Sequence, residues 1–167
     1  MDGKGRGQPD IPILGGQDPA YLLASLRRYA SGERSSAVMQ TAVSSLSDAE
    51  MQRLANHFSA LPGLKPTNLL SDLPMLKDQA GIPVPACVNC HAPGKKGPIL
   101  AGQRSSYVAA RLKGWQQEKA VVDARQSPET MAMIARRIPP SDVDSLAAAI
   151  GESSNKTAGG PHHDAPR

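Results

Sequence analysis

The chain has 167 residues but only one Trp, three Tyr and one Phe. It is too short for a large multidomain enzyme and too poor in rings for an aromatic core, so small aliphatics or a non-protein group must fill its interior. Nineteen Lys and Arg against fifteen Asp and Glu leave a net charge of +4. The basic residues fall in scattered pairs (Arg27-Arg28, Lys95-Lys96, Arg136-Arg137), without the aromatic interleaving of a nucleic-acid surface. They read as a solvated face or as a docking rim for an acidic partner. Fifteen Gly and fifteen Pro favour short helices joined by turns. No apolar run approaches the roughly 18 residues that a membrane-spanning helix needs.

The chain opens Met1-Asp2-Gly3-Lys4-Gly5, polar and glycine-rich, with no secretory leader visible. Pro19 suits the first turn of a helix running to Ala30, with Leu22, Leu23, Leu26 and Tyr29 on one face. Ser47 followed by Glu50 forms a capping box for a helix over Asp48–Ala60, whose inward stripe is Met51, Leu54, Ala55 and Phe58. Prolines at 62, 66, 74, 83 and 85 mark connecting chain, with the linker itself at 62–80. A helix over Ser105–Gln117 repeats the first, and a last helix covers 141–150. Residues 152–167 are Gly, Ser, Asn, Pro and His with little apolar content, a composition that predicts disorder. No segment alternates as a strand should, so the expected class is all-α.

The chain repeats itself. Ile13-Leu14-Gly15-Gly16-Gln17 returns as Ile99-Leu100-Ala101-Gly102-Gln103, and Tyr21, Leu26 and Tyr29 match Tyr107, Leu112 and Trp115. The offset is 86 there and 92 further on, where Met39 matches Met131 and Leu46 matches Ile138. Six extra residues therefore lie within 116–128 of the second copy.

The only two cysteines fall in Cys87-Val88-Asn89-Cys90-His91. C-x-x-C-H is the attachment signature of c-type haem. Two thiols about one helical turn apart can each join one edge of a porphyrin, and the adjacent imidazole reaches the iron from the same side. Three rivals compete. A structural zinc site wants a second ligand cluster, which is missing. A thioredoxin-type pair needs an α/β setting. A plain disulfide gives no reason for His91. An iron held by His91 takes its other ligand from elsewhere, commonly a Met. The repeat picks Met131, the counterpart of Met39, over Met133.

From Gly81 through Ile150 the chain resembles a class I cytochrome c domain of the diheme, two-domain kind. The residues that carry the resemblance are the C-x-x-C-H motif, Pro98-Ile99-Leu100-Ala101-Gly102-Gln103, Tyr107, Leu112, Trp115 and Met131-Ala132-Met133-Ile134-Ala135. It implies one haem c on thioethers at Cys87 and Cys90, axial ligands His91 and Met131, and a Pro98 carbonyl that accepts the second imidazole N–H. The loop 92–97 is shorter than the family's usual Gly-rich segment. Residues 1–61 resemble the same family but lack Cys, and Met1-Asp2-Gly3-Lys4-Gly5 reads like the segment after C-x-x-C-H-G. The expectation is two tandem cytochrome c-like domains, 1–61 incomplete and 81–151 haem-bearing. Upstream sequence would supply a first haem motif and a secretory leader. Without a haem, Ile11, Ile13, Leu14, Tyr21, Leu22 and Leu26 would line an empty cavity. The implied function is periplasmic electron transfer. Its partners would be a membrane oxidoreductase, dehydrogenase or oxidase with acidic docking surfaces. The alternative is a haem-bearing dehydrogenase subunit or peroxidase-like enzyme.

Overall fold

The computed structural model describes residues 3–5, 11–117 and 127–153. Most of the 152–167 tail and most of the region of the six-residue insertion lie outside these. The described residues form seven α-helices and two 3-10 turns, with no strand beyond one isolated bridge between Lys77 and Pro83.

The first unit holds α1 (Pro19–Ala30), α2 (Ala37–Val43) and α3 (Asp48–Ala60). The Asp18 carboxylate accepts from Tyr21 N at 2.7 Å and opens α1 ahead of Pro19. The Ser47–Glu50 box caps α3 in both directions. Leu22 and Leu23 bury against Met51 and Ala55, with Leu14, Leu26, Leu46 and Phe58 around them. Leu22 and Leu26 thus pack under α3 instead of lining a void, and Ile11 is exposed. Tyr21 departs from that expectation differently, because it turns toward the second unit.

The second unit holds α4 (Val88–His91), α5 (Ser105–Gln117), α6 (Ser127–Ala135) and α7 (Val143–Glu152). The last helix begins two residues later than its pattern suggests. Pro140 holds Pro139 extended (φ −55°, ψ 134°), and a 3-10 turn over Pro140–Asp142 comes first. Val143, Leu146, Ala147 and Ile150 bury that helix against Val108 and Leu112 of α5. Leu70, from the connecting chain, is buried in the same core.

The repeat extends to individual hydrogen bonds. Gly16 N donates to Phe58 O at 3.2 Å, and Gly102 N donates to Ile150 O at 3.0 Å. Leu46 N to Val43 O at 3.0 Å is matched by Ile138 N to Ala135 O at 3.1 Å. Gly16 and Gly102 sit at φ +73° and +78°, a backbone region that a side chain disfavours.

The two units join reciprocally. Gln17 Nε2 donates to Ile99 O and Gln103 Nε2 to Ile13 O, each at 3.0 Å. Ile99 N donates to Gln17 Oε1 and Ile13 N to Gln103 Oε1, each at 2.8 Å. Repeat-related residues thus exchange the same four bonds, the pattern of a local two-fold relation. Both glutamines are only 3% exposed, so each buried amide finds its partners across the junction.

Candidate functional site

Cys87 precedes the single turn of α4 and already has helical dihedrals (φ −55°, ψ −37°). Cys90 N and His91 N both donate to Cys87 O, at 3.2 and 3.0 Å. A three- and four-residue spacing on that turn sets Cys87, Cys90 and His91 on one side of it. Both thiols are free. Burial pushes the Cys87 thiol above its ordinary range.

The loop 92–97 folds back onto the imidazole. Gly97 N donates to Cys90 O at 2.9 Å, and His91 Nδ1 lies 2.8 Å from Pro98 O. A carbonyl can only accept, so Nδ1 carries the proton and Nε2 is the ring nitrogen with a lone pair to offer. Burial lowers the His91 pKa, and the bond to Pro98 partly offsets this, so the neutral ring dominates at neutral pH.

Cys87, Cys90, His91 and Pro98 line a cavity of about 260 Å³. Met131 on α6 lines the same space, while Met133 turns away and is 50% exposed. Met51 is buried in the first unit's core and Met75 is 79% exposed, so neither meets the cavity. Met39 stands half-buried on α2 and does not line it either. Leucine and isoleucine from α5, α6 and α7 supply much of the apolar wall. Among the described residues, no group of three or more His, Cys, Asp or Glu side chains could hold a metal ion.

The other wall was not legible from the sequence. Tyr21, Arg28 and Arg34 of the first unit line the cavity, facing Tyr107 and Arg111 of the second. Arg34 donates to Ser25 Oγ and Tyr107 Oη, both at 3.3 Å, and lies 4.8 Å from the centre of the Tyr29 ring. Arg111 stacks on Trp115 at 4.6 Å. One signal existed: Tyr107, Arg111 and Trp115 recur every four residues along α5. Nothing local distinguishes Arg28 from its neighbour Arg27, which pairs in the open with Asp48 at 2.6 Å.

No protein-family model matches the chain. A thiosulfate dehydrogenase electron acceptor from Thiomonas intermedia (strain K12) is 30% identical over 176 residues, spanning 96% of this chain and 80% of that one. The crystal structure of reduced recombinant cytochrome c4 from Pseudomonas stutzeri matches with a TM-score of 0.66 at 25% identity, over 90% of this chain and 88% of that one. The thiosulfate dehydrogenase TsdBA from Marichromatium purpuratum matches at 0.65 and 26% identity, over 88% of this chain but 34% of that one. With an all-helical architecture, a C-x-x-C-H turn beside an apolar cavity and a relative at this identity along most of its length, the chain belongs to the class I c-type cytochromes of the cytochrome c4 and thiosulfate dehydrogenase electron acceptor kind, and is an electron carrier.

Proposed function

We propose that the chain carries electrons on one haem c that Cys87 and Cys90 would hold covalently and whose iron His91 and Met131 would bind. The observation that carries this reading is the C-x-x-C-H turn whose His91 Nδ1 is engaged by Pro98 O at 2.8 Å, on a cavity that Met131 also lines. The residues present suit the group. Two thiols and a neutral imidazole stand on one turn, a thioether shares their cavity, the walls are largely apolar, and two buried arginine Nε atoms on them make no hydrogen bond. When bound, the haem supplies a one-electron ferric/ferrous couple. The chain's own residues do the rest. Cys87 and Cys90 would hold the group, Pro98 fixes the imidazole tautomer so that His91 Nε2 is the nitrogen with a lone pair to offer it, Met131 would offer its thioether from the same cavity, and the apolar wall excludes water.

The electron donor we infer is a dehydrogenase, and the relatives point to one acting on thiosulfate. C-type haem attachment takes place outside the cytoplasm, which puts the protein in the periplasm; no described helix is long and apolar enough to cross a membrane. The repeat, with Met39 placed as Met131 is, supports a diheme parent protein. An in-frame C-x-x-C-H-G encoded upstream of Met1 would bear that out, and a stop codon directly before Met1 would overturn it.

The test is a redox titration of the purified, matured chain. A single reversible one-electron couple, with a low-spin spectrum and the near-infrared sulfur-to-iron band in the oxidised form, is the expected result. A high-spin spectrum with an open axial position would overturn the ligand assignment.

A further inference from the structure

We propose that Asp78 and Arg137 are positioning residues for the Met131 thioether: their ion pair ties the helix that carries Met131 to the hairpin that feeds the C-x-x-C-H turn, and so keeps other ligands from displacing that thioether. This rests on the haem reading above.

The chain from Leu76 to Val84 is a hairpin. Asp78 N donates to Ile82 O and Val84 N to Leu76 O, each at 2.9 Å, and Gly81 takes its turn at φ +77°. Val84 is buried in the second unit's core, which fixes the base of the hairpin. Pro83 stands three residues ahead of Ala86, and Cys87 follows directly.

On the other side, Arg137 follows α6 and stays in register with it, because Arg137 N donates to Ile134 O at 3.0 Å. Its guanidinium grips the hairpin as a fork. Nε donates to Asp78 Oδ2 at 3.1 Å and Nη2 to Pro83 O at 2.8 Å. The Asp78 side chain is only 16% exposed, so solvent screens this pair less than an open one. From α5, Gln116 Nε2 donates to Ala135 O at 3.0 Å and Ile138 O at 2.9 Å, a second hold on the same end of α6.

The first unit shows the contrast. Ser45 stands at the position related to Arg137, and Ala30 at that related to Gln116. There a cleft of about 550 Å³ opens between Tyr29, Ala30, Val43 and Leu46. Both holds thus belong to the unit whose methionine lines the C-x-x-C-H cavity, and Met39 does not line it.

Imidazole added to the oxidised protein binds the iron only in molecules whose Met131 has let go, so its apparent affinity counts them. The experiment compares Asp78→Asn, Arg137→Gln and the double variant in the full, matured chain, well below the melting transition. Imidazole affinity and the sulfur-to-iron band are read together. Each single variant should bind imidazole roughly threefold to tenfold more tightly, with a weaker band. The double variant should go no further than the worse single one, because both break one pair. Ser47→Ala, which removes the cap of α3 in the other unit, should bind imidazole as the parent does. Parent-like affinity in Asp78→Asn and Arg137→Gln would overturn the proposal. So would full addition in the double variant, or an equal rise in Ser47→Ala, which would mean general loosening. Should Arg137→Gln fail to mature, Asp78→Asn decides against Ser47→Ala. A parent chain without haem or without the band would instead overturn the reading on which the proposal rests.

Discussion

His91 has one ring nitrogen committed to a backbone carbonyl and one left for a ligand, and Gly97 lets the loop lie flat enough for that. A Cβ at Gly97 would stand 2.6 Å from His91 Nδ1 and 2.6 Å from Cys90 O, closer than real Cβ contacts allow. Gly97→Ala should therefore push the ring off Pro98. We expect a lower yield of haem-bearing protein and a broadened, partly high-spin spectrum, while an unchanged spectrum would contradict this geometry. With Met131 as the proposed thioether ligand from the same cavity, Met131→Ala should abolish the sulfur-to-iron band and lower the potential, because a thioether favours the reduced iron. Met133→Ala, on an exposed side chain, should do neither. Legibility at this scale was uneven. The two cysteines and His91 stood out because covalent attachment demands fixed spacing. Arg28 looked like half of a solvated basic pair, and only the arrival of the second unit separates its fate from that of Arg27. Arg137 misled in the same way: it bonds Asp78 Oδ2 at 3.1 Å and Pro83 O at 2.8 Å.

Helices with strong end signals were readable from sequence: α1 by Pro19, α3 by its capping box, α5 by its likeness to α1. Two other short interior helices, α2 and α6, were not. Met39 and Met131, matched by the repeat but assigned to no helix from the sequence, sit on α2 and α6, of 7 and 9 residues. Helices this short owe little to intrinsic propensity and much to tertiary packing, so periodicity has no room to show. The connecting chain was equally opaque, since its prolines hide that Leu70 is buried and that Asp78 organises the turn before Pro83. Asp78 Oδ1 accepts from Ile82 N at 2.9 Å and from Ala80 N at 3.1 Å, while Arg137 holds the other oxygen. The Ile82 N–H, then Arg137, hold its carboxyl below the usual range. A depressed folded pKa gives stability that is present above the unfolded value of about 3.9 and lost as pH falls through the folded value. Asp78→Asn should therefore lower the melting temperature at pH 7 and shrink the difference from the parent below about pH 4. A difference that stays constant with pH would contradict this role.

Across the whole molecule, the offsets of 86 and 92 seen in the sequence return as matched backbone hydrogen bonds in both units. What the repeat could not show is that Gln17 and Gln103, equivalent to each other, face across the junction and satisfy each other's neighbourhood. Replacing Gln103 by Ala strands the partly buried Ile13 N and Ile13 O, at a cost of up to about 1–3 kcal/mol for each group, less where water reaches it. Denaturant unfolding of Gln17→Ala should show a similar loss, and the double variant should lose roughly the sum, because each glutamine serves different backbone groups. A variant pair with parent stability would mean that the junction opens to water. The basic pairs that seemed to mark one surface are divided by the same arrangement, leaving Lys95 and Lys96 exposed in the loop after His91 while Arg28 faces the cavity. Everything said of electron transfer depends on a cofactor fixed to this turn. Denaturing electrophoresis of the matured chain, with haem staining and mass measurement of the peptide containing Cys87 and Cys90, tests that most directly. Haem remaining on that peptide, and lost from a Cys87→Ala/Cys90→Ala variant, is the expected result; a colourless chain with both thiols free after full maturation would contradict the account.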